Sequence, residues 1–93
     1  MSVPKQARLY RVRGRVQGVG FRYFVEQSAK ALGVRGWVRN DDDGSVEVYA
    51  VATPAQLSEL AGLLWRGPRW AEIRGVDETE AALENHSGFF VKQ

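Results

Sequence analysis

The residues that could do chemistry are concentrated in one short stretch, Gly14 to Arg22, GRVQGVGFR. Gly18 and Gly20 can take positive φ, which lets successive backbone N–H groups converge on an anion. Arg22 follows with a planar guanidinium that matches phosphoryl oxygens. A helical pattern starts at the same point. The first turn of a helix leaves N–H groups free beside a partial positive charge. Loop, helix end and guanidinium together describe a phosphate cradle. Taken by itself, Arg22 fits a solvated helix start about equally well. A cation there is electrostatically unfavourable unless an anion joins it.

Two better-known phosphate loops do not fit. A Walker A loop needs Gly-Lys-Ser or Gly-Lys-Thr, and the sequence contains neither. The dinucleotide fingerprint needs a third glycine where Tyr23 stands, and a longer parallel fold. The acidic run Asp41-Asp42-Asp43 imitates a ribose-binding acid by spacing alone.

The elements that must position this loop are readable from periodicity. Ala7 to Val16 alternates, with Tyr10, Val12, Gly14 and Val16 on one side and Arg11, Arg13 and Arg15 on the other, as in a half-buried strand. Phe21, Phe24, Val25, Ser28, Ala29 and Leu32 then recur at helical spacing, and Gly33 supplies the stop. Val34 to Asn40 and Ser45 to Ala52 alternate again around the turn residues Asp41 to Gly44, which reads as a hairpin. Thr53, Pro54 and Gln56 are a capping box with proline at the first helical position. Leu57, Leu60, Ala61 and Leu64 form the stripe of that second helix, which Gly67-Pro68 ends. Ala71 to Ala81 reads as a strand whose alternation breaks at Gly75, and Phe89 to Lys92 as a short closing strand.

This order predicts one domain over residues 1–93. Its class is α+β, a ferredoxin-like split β-α-β fold (βαββαβ with a short fifth strand), with two helices on one face of an antiparallel sheet. A right-handed crossover puts the first strand and the strand after the first helix in one sheet, with the third strand between them. Val16 and Asn40 then finish at the same end of the sheet, two strand spacings or about 10 Å apart. Asn40 shares parity with Val34 and Val38, so its amide tops an apolar row below the loop. An asparagine opening a hairpin can also serve only to cap the turn.

Composition narrows the classes. The chain has 93 residues, 44% of them apolar, which suits a folded domain. No apolar run nears the roughly 20 residues of a membrane span, and the polar start is unlike a signal peptide. Cysteine is absent and His86 is the single histidine, which argues against zinc and iron sites. The lack of cysteine fits a reducing cytoplasm. A net charge of +2 is too slight for a dedicated nucleic-acid binder, yet it favours small anions.

With GRVQGVGFR, GWVRN, DGSVEV, RGP and SGFFV in place, the chain resembles the acylphosphatase family over nearly its whole length. That resemblance implies hydrolysis of the carboxyl-phosphate bond of a small acyl phosphate, giving a carboxylate and inorganic phosphate. It implies no metal and no cofactor. It assigns phosphoryl binding to Arg22 and to the loop amides from Gln17 through Gly18, Val19, Gly20 and Phe21. It assigns the positioning of the attacking water to Asn40. The expected protein is a cytoplasmic monomer without a nucleic-acid or membrane partner. Asp41 departs from the pattern, because many relatives carry a small hydroxyl or apolar residue there. An acid beside an anion site would weaken binding or face solvent.

A rival reading comes from the open face of the sheet, where Arg11, Arg13, Arg15, Arg35, Trp37, Arg39 and Tyr49 could present a single-strand RNA platform. Glu47 and Glu72 share that face, and cross-strand Arg–Glu pairing accounts for the pattern without RNA. A third reading is a regulatory domain that binds phosphate-bearing metabolites without turnover. Gly14 is expected to let the first helix pack closely on the sheet. Trp65 and Trp70 are expected to pack around the end of the second helix. The Asp41–Asp43 run is expected to be an exposed turn, and His86 a solvated loop residue.

Overall fold

A computed structural model describes residues 3–93. The chain forms β1 (Gln6–Arg15), α1 (Phe21–Leu32), β2 (Arg35–Asn40), β3 (Val46–Ala52), α2 (Pro54–Arg66), β4 (Glu72–Glu80) and β5 (Phe89–Val91). The strands make one sheet in the order β4-β1-β3-β2-β5. The helix caps are those that the sequence announces. Gly33 closes α1 in the left-handed region with its N–H on the Ala29 and Lys30 carbonyls. Thr53 and Gln56 satisfy each other's backbone N–H groups at the start of α2. The Gln56 amide also donates to the Leu32 carbonyl, 2.8 Å away, and so ties the end of α1 to the start of α2.

The sheet corrects the expectation of an antiparallel arrangement. β1 pairs antiparallel with β3 and β4, and β2 antiparallel with β3, but β2 and β5 run parallel, with Gly36 opposite Phe89 and Val38 opposite Val91. β4 ends beside the start of β1, and residues 81–88 cross from there to the start of β2. A strand entering from that end must run with β2, so the sheet is mixed.

The two faces of the sheet carry separate apolar clusters. Tyr10, Val12, Val16, Val38, Val46 and Val48 pack against Phe21, Val25, Ala29, Leu57, Leu60 and Leu64 of the helices. Burying each such side chain contributes about 1.5–3 kcal/mol, so this layer holds the domain without cross-links. On the other face Trp37, Tyr49, Val51 and Ala7 form a smaller cluster. The Tyr49 hydroxyl donates to the Ala82 carbonyl and accepts from the Glu84 N–H, both at 2.6 Å. Residues 81–88 are thereby strapped over this face, and the Trp37 and Tyr49 rings stack at 5.6 Å beneath them.

Three side expectations are overturned. Gly14 does not serve helix packing: a Cβ on it would lie 2.1 Å from the Glu72 carbonyl oxygen, so it admits the close approach of β4 at a register shift. Trp65 and Trp70 are exposed, at 54% and 71%, and the Arg69 guanidinium lies over the Trp70 ring. They follow the last buried stripe residue, Leu64, and no further layer covers them. His86 is only partly exposed, bonded to Glu84 and set edge-on to Tyr49 and Phe90.

Candidate active site

β1 and β2 deliver their last residues to the same end of the sheet, with β3 between them. Val16 follows β1, and Asn40 closes β2 opposite Val46, the first residue of β3. Between Val16 and α1 the chain turns through Gly18 (φ 75°) and Gly20 (φ 77°), both in the left-handed region. Gly20 is also the N-cap of α1, and no side chain caps the helix there. The first turn of α1 contains no acidic residue. An uncapped helix start that lacks its usual acids leaves its partial positive charge available to a ligand.

A concave pocket of about 190 Å³ opens at this point, lined by Val16, Gly18, Gly20, Phe21, Arg22 and Asn40, with Tyr23 at its edge. That volume suits a phosphoryl group with a water beside it. Among the described residues Arg22 has no carboxylate within ion-pair distance. The Asn40 Oδ1 is buried and receives no hydrogen bond. A buried acceptor without a donor costs about 1–3 kcal/mol. The pocket thus joins an unpaired cation, a helix start and an acceptor short of a donor. No group of three or more His, Cys, Asp or Glu side chains that could hold a metal ion occurs among the described residues.

The sequence model of the acylphosphatase family matches residues 8–91. The chain belongs to the acylphosphatase family. Its similarity to an acylphosphatase from Solibacter usitatus is 55% identity over 89 residues, 96% of this chain and 93% of that one. An acylphosphatase structure from Coxiella burnetii superposes with a TM-score of 0.92 at 35% identity, covering 96% of this chain and 94% of the other. One from Bacillus subtilis gives 0.89 at 38% identity, covering 96% and 99%. The activity is that of an acylphosphatase, and the substrate class is a small acyl phosphate. No helix is long and apolar enough to cross a membrane.

Within this acylphosphatase fold the residues singled out from sequence divide into two groups. Gly18, Gly20, Phe21, Arg22 and Asn40 meet in the pocket. Phe21 does so at the backbone, because its ring is buried beside Phe24, with centroids 6.1 Å apart. Gln17 and Val19 do not line it. Val19 packs against the main core. The Gln17 amide Nε2 donates to the carbonyls of Asp41 at 2.8 Å and Ser45 at 2.9 Å, which fastens the loop to the β2–β3 turn. Periodicity and spacing give no sign of that tie, because both acceptors are backbone atoms.

Asp41 does not line the pocket, and its side chain is partly exposed. Its carboxylate takes a hydrogen bond from Arg11 at 2.9 Å. Arg11 also bridges Asp43 at 3.1 Å and lies 3.6 Å from Glu47, which in turn holds Arg39 at 2.6 Å. The acid next to the site is therefore neutralised from the opposite face of the sheet. Of the two expected Arg–Glu partners, Glu47 pairs across strands, whereas Glu72 bonds Arg74 on its own strand.

Proposed function

We propose that Arg22 and the loop amides, chiefly those of the pocket-lining Gly18, Gly20, Phe21 and Arg22 within residues 17–22, hold the phosphoryl group of the acyl phosphate, and that Asn40 positions the attacking water. The observation that carries this reading is the meeting of Arg22 and the donor-less Asn40 Oδ1 at the uncapped start of α1. A water lodged beside a bound phosphoryl group is the donor that Oδ1 lacks.

An acyl phosphate already has a carboxylate leaving group, so the enzyme's task is to hold and align. The helix-start amides are fixed before substrate arrives, and together with the Arg22 guanidinium they oppose the charge on the equatorial oxygens of the transition state. Water attacks phosphorus in line, a new P–O bond forms, and the bond from phosphorus to the acyl oxygen breaks. The acyl group leaves as carboxylate. Both water protons end on phosphate oxygens or pass to solvent. Asn40 has no proton to exchange at neutral pH, so its role is geometric.

The test is hydrolysis of benzoyl phosphate in excess chelator by the parent chain, Arg22→Ala and Asn40→Ala. Removing one preorganised stabilising group costs about 10²–10³ in kcat, so each variant is expected to lose at least that much while remaining folded. Turnover in either variant within tenfold of the parent overturns the corresponding role.

A further inference from the structure

A second cavity, of about 280 Å³, lies at the opposite end of the sheet and on its opposite face. Its lining includes Lys5, Arg35, Val51, Leu83, Glu84 and His86. Arg35 pairs with Val51 at the start of β2, whereas Asn40 closes that strand at the catalytic end. The five residue steps between them place the two sites roughly 17 Å apart along the strand.

One wall of the cavity is held in place. The Tyr49 hydroxyl fixes the wall through the Ala82 carbonyl and the Glu84 N–H. The His86 ring is held by Glu84 Oε1 at 2.8 Å and by edge contacts with Tyr49 and Phe90.

Its chemistry is two-sided. Among the described residues neither Lys5 nor Arg35 has a carboxylate within ion-pair distance. The floor and rim are apolar, formed by Val51 and by Leu83, which is 65% exposed. Two cations against one acid, Glu84, leave a single positive charge to be matched. A monoanion with an apolar body satisfies both parts, whereas a phosphate dianion would meet Glu84 without filling the apolar side. A planar carboxylate also suits the guanidinium fork.

We propose that this cavity binds a small carboxylate with an apolar body, its head between Arg35 and Lys5 and its body over Val51 and Leu83. This is the chemical class that acyl phosphate hydrolysis releases. The site shares no lining residue with the catalytic pocket, so the proposal stands independently of the roles given to Arg22 and Asn40.

Benzoate is the probe, titrated at pH 7.5 into the whole chain in inorganic phosphate buffer. His86 is the single histidine, so its ring protons give resolved proton NMR signals, and an aromatic ring seated beside it shifts them. The expected result is a saturable shift that Arg35→Gln, Lys5→Gln and Leu83→Ser each move to at least fivefold higher benzoate, roughly the loss of one partly exposed contact. Acetate is expected to give no saturation over the same range. The proposal is overturned by three results: no saturable shift, a shift indifferent to both cation variants, or an equal response to acetate. The unperturbed amide spectrum of each variant confirms its fold.

Discussion

The side chain of Gln17 bridges the phosphate loop to the β2–β3 turn through the Asp41 carbonyl, 2.8 Å away. Asp41 directly follows Asn40. One amide therefore sets the spacing between the loop that would hold phosphate and the residue that would hold water. Replacement by alanine leaves the Asp41 and Ser45 carbonyls with only their backbone donors within the turn, Gly44 and Asp41, and frees the loop. A misplacement of about 1 Å can cost up to ~10² in rate, so Gln17→Ala is expected to lower kcat/KM about 10-fold to 100-fold. Thermal unfolding is expected to change by only ~1 kcal/mol, because one neutral hydrogen-bonded group is lost. Steady-state kinetics paired with calorimetry separate the two effects; unchanged kinetics would show that the loop keeps its place without the tie.

The Arg11–Asp41 pair at 2.9 Å predicts that the acid beside the site does not repel substrate. Both side chains are about a third exposed, and such pairs contribute ~0–1 kcal/mol. Asp41→Asn is therefore expected to change kcat/KM less than about threefold at ordinary salt, where exposed charges are screened beyond ~8–10 Å. A tenfold rise on neutralising Asp41 would mean that its charge reaches the substrate.

Tyr49→Phe removes the hydroxyl that serves both Ala82 and Glu84. Two backbone groups then lose their partner, and about 1–3 kcal/mol of stability is expected to go with them. Hydrogen exchange should locate the loss, with the Glu84 amide exchanging faster and the β1–β3 amides following only the global change. Single-stranded RNA binding at low salt is expected to be absent in the parent, because the Trp37 and Tyr49 faces are already covered, at 8% and 2% exposure. Tight, salt-dependent binding would restore the RNA platform reading.

Tyr10 gives an alkaline signature. Burial pushes its phenol up to about 12, with the nearby Glu78 charge adding to the effect. Below the ordinary value near 10 both folded and unfolded chains keep the proton, and the stabilisation is fully present. Above it the unfolded chain releases the proton first, so stability falls as pH rises towards the folded value. Tyr10→Phe is expected to flatten this fall between about pH 10 and 12 when denaturant midpoints are compared. Parallel pH curves for the two proteins would rule the Tyr10 proton out as the cause.

Gly14→Ala would drive a methyl group into the Glu72 carbonyl at a φ of 132°. The clash is with backbone, which cannot turn aside as a flexible side chain would. A destabilisation of about 3 kcal/mol or more is expected from strain and overpacking together. Urea midpoints measure it, and a loss under 1 kcal/mol would show that β4 can move away from β1.

The element order was legible because each strand and helix repeats its own period over several residues. The capping box at Thr53 and the stop at Gly33 are local chemistry, and local chemistry is written in neighbouring residues. The direction of β5 was not legible. Phe89–Val91 is three residues long, and its sense depends on where residues 81–88 cross the sheet. Gly14 showed its need for space, but the β4 backbone that fills it comes from much later in the chain. The pocket residues Gly18, Gly20, Arg22 and Asn40 were legible through the motif and the topology together. The Gln17 tie was not, since a side chain aimed at distant carbonyls leaves no periodic trace. Trp65 and Trp70 misled because a large aromatic side chain is ordinarily a packing element, whereas here no layer remains to receive them.

The parallel pairing of β5 with β2 has a kinetic side. β2 carries Asn40, and until Phe89–Val91 arrive it is an open edge with unpaired backbone groups. The strand that would align the water therefore gains its second neighbour from the strand latest in chain order among the described elements, well after β2 and β3. A nascent chain can already fold its loop onto α1 at that stage, yet its sheet stays unsealed on the catalytic strand. In that interval β2 is open to edge-to-edge association, and Phe89–Val91 act as the cover that ends it.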